Sequence, residues 1–290
     1  MFNVVKAEMR KLRRPTLFFG TIGAALFFTG LITSFIYLMI DSPQGNGDRG
    51  RSIGRDVLEL ASGSVNGFAS VGGFLGIIAL CVFAAQTAQE YTYGTLRNLL
   101  VRQPSRMKIL AGKFVSMALF ALVMITIAAV VSIAISYILA PGAKVNTDLW
   151  FTSEGLDSIL TTYVNVAISV IAFGIVGMIL GLLLRSPISA ISLGVLWLLI
   201  VEVLLVAVRN SLQSWLPGIQ LSTIASGGTL ELTYRHALTV GGLYVAVGAV
   251  IASVLFVRRD VANQGHSHLK HPFSKVRHLF FRPSLSKGFK

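Results

Sequence analysis

Apolar and polar positions alternate along this chain in long blocks. Six apolar runs cover residues 15–40, 60–89, 114–143, 158–184, 186–208 and 237–257, and only the fifth contains a charge, Glu202. About 18 or more apolar residues in succession read as a membrane-spanning helix, since about 20 residues at 1.5 Å each cross the roughly 30 Å hydrocarbon layer. The three longest runs exceed that thickness and must tilt or extend beyond it. None of the runs alternates as the strands of a membrane barrel do. The pattern predicts an all-α polytopic membrane protein with six transmembrane helices.

The stretches between the runs carry periods of their own. In residues 1–14, Phe2, Val5, Met9 and Leu12 share one helical face, and Lys6, Arg10 and Arg13 share another. This spacing predicts an amphipathic basic helix lying in the membrane interface. In 89–113, Tyr93, Leu96 and Leu100 fall three and four residues apart, while Arg97 and Arg102 take other faces and Pro104 ends the pattern. A short surface helix between spans two and three is expected there. Residues 210–230 are apolar but broken by Pro217-Gly218 and Gly227-Gly228. They predict short helices that lie on or dip into the interface, with Trp215 as an anchor. A dipping backbone survives in lipid where protein buries it. The basic, weakly apolar residues 258–290 read as a flexible tail.

Composition agrees: hydrophobic residues are 54% and charged residues 13% of the chain, and mean hydropathy is +0.73. Charge then orients it. With both termini cytoplasmic, nineteen of the 25 Lys and Arg residues fall on the inner side, as the positive-inside rule requires. The location expected is a plasma membrane, multi-pass, of bacterial type. The net charge of +13 suits anionic lipid headgroups and needs no nucleic acid to explain it. The single cysteine, Cys81, excludes an internal disulfide. The first apolar run is too long for a cleavable signal.

Catalytic motifs are missing. The sequence holds no GxxxxGK[ST] phosphate loop, no HExxH helix and no GxSxG elbow. His266, His268 and His271 read as part of the basic tail rather than as a metal site. Gly72 and Gly76, like Gly63 and Gly67, form GxxxG pairs that allow close helix approach within one subunit or between two. Glu202 lies two helical turns before Arg209, and a carboxylate inside a span faces protein or water. Glu202 is either a polar element near the outer part of a translocation path or a protonated or Arg-satisfied residue packed between helices.

One stretch carries a resemblance. Glu90, Gly94-Thr95-Leu96-Arg97, Leu99-Leu100, Pro104, Arg106 and Gly112-Lys113 resemble the inner-loop pattern of type-2 ABC exporter permeases. The layout of helices is similar over nearly the whole chain except its tail. The resemblance implies a permease subunit paired with a second copy or a sister permease, and with separate ABC ATPase subunits that bind ATP and Mg. It implies no cofactor in this chain. Residues 90–104 would be the cytoplasmic coupling helix. Glu90 and Arg97 would contact or brace the ATPase interface, Leu96 and Leu100 would fill its groove, and Tyr93, Gly94, Thr95, Pro104 and Arg106 complete the candidate set. The expected cargo is hydrophobic or amphipathic. Two other readings stay open from the residues alone, a gradient-driven secondary transporter and a non-transporting membrane scaffold.

Overall fold

The computed structural model describes residues 2–40, 54–95 and 105–258. Every regular element among them is helical. Six helices are long and apolar enough to cross a membrane: Pro15–Leu38, Gly63–Thr92, Arg106–Leu139, Ser153–Leu184, Pro187–Val208 and Tyr234–Val257. The chain is therefore an all-α membrane protein.

Helix α1 (Phe2–Leu12) precedes the first span, α2 (Pro15–Leu38), across a two-residue corner in which Pro15 takes the first helical position, where its missing N–H is not needed. A short α3 (Arg55–Glu59) and a 3₁₀ turn lead into α4 (Asn66–Thr92). The third span, α5 (Arg106–Leu139), begins eight residues before the apolar run and stops short of Pro141-Gly142. The fourth, α6 (Ser153–Leu184), is capped by Thr152, whose side chain accepts from the Gly155 N–H, satisfying one otherwise free amide. It ends at Arg185 in the left-handed conformation, with φ of 55°. The fifth span is composite: α7 (Pro187–Leu196), a π-helical turn (Trp197–Val201) and α8 (Glu202–Val208). A 3₁₀ turn (Asn210–Ser214) and α9 (Pro217–Ala225) follow, then the last span, α10 (Tyr234–Arg258).

Helix α4 is the centre, packed most extensively on α6 and also on α2, α5 and α7. Close approach explains its glycines. A Cβ on Gly76 would lie 2.2 Å from the Phe173 ring, and one on Gly177 of α6 would lie 2.2 Å from the Leu80 carbonyl oxygen. A Cβ on Gly72 would meet Ala225 at 2.5 Å. The GxxxG pair is thus filled from within this chain. The main core joins Phe68, Val71 and Leu75 of α4 to Met117, Phe120 and Met124 of α5 and Val166 and Val170 of α6. At the end where α4 begins, Trp150 is fully buried against Leu58, to whose carbonyl its indole N–H donates at 2.8 Å. The fifth and sixth spans are the least covered, with 11% and 17% of their most apolar windows buried against 50% and 56% in the second and fourth.

Candidate functional site

Two groups of buried charge stand at opposite ends of the bundle. The first joins α1 to the ends of α4 and α5. Val5, Glu8, Met9 and Leu12 recur at helical spacing and turn toward α5, so Glu8 is carried into the protein on the apolar face of α1. Four ion pairs close there. Lys113 Nζ lies 2.9 Å from Glu8 and 3.0 Å from Glu90, and Lys11 Nζ lies 2.6 Å from Glu8 and 3.1 Å from Glu90. Lys113 also donates to the Gln86 carbonyl at 3.0 Å, and Ser116 reaches the Val5 carbonyl. Glu8, Glu90 and Lys113 are 4%, 6% and 3% exposed. Two acids and two lysines, each acid bonded to each lysine, leave the cluster neutral, the condition under which buried charges are tolerated.

Burial by itself would raise the Glu8 carboxyl, but Lys113 and Lys11 outweigh it and hold Glu8 below the ordinary carboxylate range. Burial likewise opposes a charged Lys11, and its bonds to Glu8 and Glu90 outweigh that, raising it above the ordinary lysine value. Each shift favours the ionised form, as opposite charges at hydrogen-bond distance do.

The loop that this cluster brackets is described at its edges. Tyr93 is 73% exposed, and Gly94, also exposed, turns the chain with φ of 65° and open space around it. Thr95 follows on the surface, while Leu96, Arg97, Leu100 and Pro104 lie outside the described residues. Arg106 Nη1 donates to the carbonyls of Phe256 and Val257, a cation on the negative end of α10. Arg185 sits over the Tyr91 ring, 5.5 Å from its centroid. Glu90 and Lys113, both part of the loop pattern read in the sequence, are joined to each other inside the bundle. Glu8 and Lys11 were not singled out in the sequence. The signal was available, since Glu8 is an acid on the apolar face of an otherwise basic helix.

The second group surrounds Glu202, 2% exposed. Its Oε1 accepts from the Gly218 N–H at 2.8 Å and the Trp197 indole N–H at 2.8 Å, and its Oε2 accepts from the Ile219 N–H at 2.9 Å. Gly218 and Ile219 are the first residues after Pro217 at the start of α9, so the carboxylate meets two free amides at the positive end of a helix. The π turn makes the third bond: Trp197 and Glu202 are five residues apart, one π-helical turn, and share a face.

The expected Glu202–Arg209 pair is not formed. α8 stops at Val208, and Arg209 has left the helix with φ −146° and ψ 104°, exposed. The expectation assumed uninterrupted helix to 209. Residues 210–225 fold back so that α9 packs on α6 and α4, with Gln220, Leu221, Thr223 and Ile224 buried. A half-open cleft of about 260 Å³ lies between α4, α8 and α9, lined by Gly73, Phe74, Phe173, Leu199, Glu202 and Ser222 among others. Among the described residues Asp148, Glu154 and Asp157 belong to no group of three or more His, Cys, Asp or Glu placed to hold a metal ion.

Comparison with known proteins places the chain among proteins whose role is open. The uncharacterised protein YhcI of Bacillus subtilis (strain 168) is 21% identical over 204 residues, a match that covers 65% of each chain. The family described as a protein of unknown function, DUF2705, matches residues 51–262, from the approach to α3 through all of α10. That match spans most of the membrane domain, and the chain belongs to the DUF2705 family.

Proposed function

We propose that this chain is the membrane-spanning permease subunit of an ATP-driven exporter, acting with separate ATP-hydrolysing subunits and with a second copy or a sister permease. In this reading the α1 end faces the cytoplasm, the chain sits in the plasma membrane of a bacterial-type cell, and residues 90–104 dock on the ATPase. ATP and Mg belong to that partner.

One observation carries the proposal. Glu90 and Lys113, at the two ends of the loop, are bonded at 3.0 Å; Glu90 also holds Lys11, Lys113 also holds Glu8, and those two residues of α1 pair with each other. A push on the loop therefore moves α4, α5 and α1 together rather than bending the loop alone. A ligand-driven change needs contacts that differ between two states, and a loop tied to both helices is where such contacts would act. The cleft beside Glu202 would lie on the path of a hydrophobic or amphipathic cargo. A gradient-driven carrier fits less well, since N–H donors engage both Glu202 oxygens.

The test is co-purification of the full chain with an ATPase, followed by transport and ATP hydrolysis in lipid. The double variant Leu96→Asp/Arg97→Glu should leave membrane insertion intact and separate hydrolysis from transport. Normal coupling in that variant, or no ATPase partner at all, would overturn the proposal.

A further inference from the structure

With the ion cluster in place, four cations of the N-terminal segment remain at the surface. Lys6, Arg10, Arg13 and Arg14 are exposed: Lys6 and Arg10, four apart, share the side of α1 away from Glu8 and Leu12, and Arg13 and Arg14 continue the cationic stretch in the corner before α2. No described acid interrupts that stretch. At this end of the bundle the described acids are Glu8 and Glu90, both buried and both bonded to Lys11 and Lys113. The cluster thus takes the acids out of reach and leaves a purely cationic face.

The depth of that face is set by its neighbours. Glu8 is held by Lys113, while Phe18, near the start of α2, meets Phe120 of the same α5 at 6.1 Å between ring centroids. Seven residues of α5 separate Lys113 from Phe120, about 10 Å at 1.5 Å per residue. The headgroup layer adds about 5–8 Å to each side of the hydrocarbon. Helix α1 therefore runs beside the last turns of the apolar bundle, at headgroup level, and joins α2 through Arg13 and Arg14.

We propose that the surface formed by Lys6 and Arg10 of α1 and Arg13 and Arg14 of the corner that follows it is a docking surface for the phosphate-bearing headgroups of anionic lipids in the surrounding bilayer. Lipid fits better than an acidic protein because the face lies at headgroup depth and is continuous with a span. The inference stands whether or not the chain is a permease.

The experiment uses the full chain in nanodiscs of equal parts phosphatidylcholine and phosphatidylglycerol, extracted gently and weighed by native mass spectrometry. The parent should retain phosphatidylglycerol in preference to phosphatidylcholine, and less of it as salt rises. Lys6→Gln/Arg10→Gln/Arg13→Gln should weaken that retention by about fivefold for each charge removed, the equivalent of about 1 kcal/mol per basic residue. Lys144→Gln/Arg235→Gln, at the other helix ends, should change nothing. If the triple variant does not fold, Arg10→Gln alone gives the same reading at one step. Undiminished retention in a folded variant overturns the proposal. So does displacement by inorganic phosphate at matched ionic strength, which would mark a small-anion site. So does loss of a co-purifying acidic protein with lipid retention intact.

Discussion

Glu90 and Glu202 are carboxylates buried to nearly the same degree, 6% and 2% exposed, at opposite ends of one helical bundle. Glu90 is held by the ammonium groups of Lys11 and Lys113, brought from two other helices. Glu202 is held by two backbone amides of α9 and an indole from its own helix. The first arrangement is made of side chains from three different helices, which can be moved apart. The second rests on backbone N–H groups that persist as long as α9 is folded. A buried ion cluster joins three separate helices, and a helix-end anchor fixes the placement of one segment.

The largest effect should follow from breaking the cluster. Lys113→Ala removes a partner from Glu8 and Glu90 at once, and an uncompensated buried charge costs about 3–5 kcal/mol. The thermal midpoint in detergent should fall sharply, and adding Glu8→Gln should restore part of the loss. A midpoint within a degree of the parent would mean that the four groups do not act as a unit.

Glu202→Gln comes next. The amide oxygen still accepts, but its NH₂ then faces an N–H donor of α9, and a buried donor left unmet costs about 1–3 kcal/mol. Hydrogen exchange should rise in 217–225. Arg209→Gln, in the exposed residue once matched to Glu202, should leave it unchanged. Equal effects from the two substitutions would restore the ion pair and remove the anchor.

The smallest effect is with pH, and it belongs to the cluster. Glu8 is lowered from 4.5, so its contribution is present above that value and is lost as pH falls through the folded one. Lys11 is raised from 10.5, so its contribution is full below that value and is lost as pH rises through the folded one. Exchange protection of α1 should stay level between these limits and decline outside them. Glu8→Gln should remove the acid decline and shrink the alkaline one, since Lys11 then keeps only Glu90 as an acidic partner. A decline near neutral pH would contradict the assignment.

Much of the fold was legible in one dimension. Each of the six spans coincides with an apolar run, because a helix in hydrocarbon must present apolar side chains along its whole length. The start of α5 was less legible: Arg106, Lys108 and Lys113 look like solvated loop residues until Lys113 finds Glu8 and Glu90, and Arg106 finds the end of α10. The broken segment 210–230 was expected to form short helices lying on or dipping into the interface; within it α9 packs on α4 and α6. Its tie to Glu202 was not legible, since a helical period continued through 209 points the carboxylate at Arg209.

Local spacing and composition by themselves determined the class, the number of spans and the two-faced character of α1, since each depends on neighbours a few residues apart along a helix. The partners of the buried charges were decided in three dimensions. Lys11 meets Glu90 across 79 positions and Glu8 meets Lys113 across 105, separations over which sequence carries no geometric signal. Packing of α1 and α4 against α5 brings those groups together, and burial then forces each charge to take a partner.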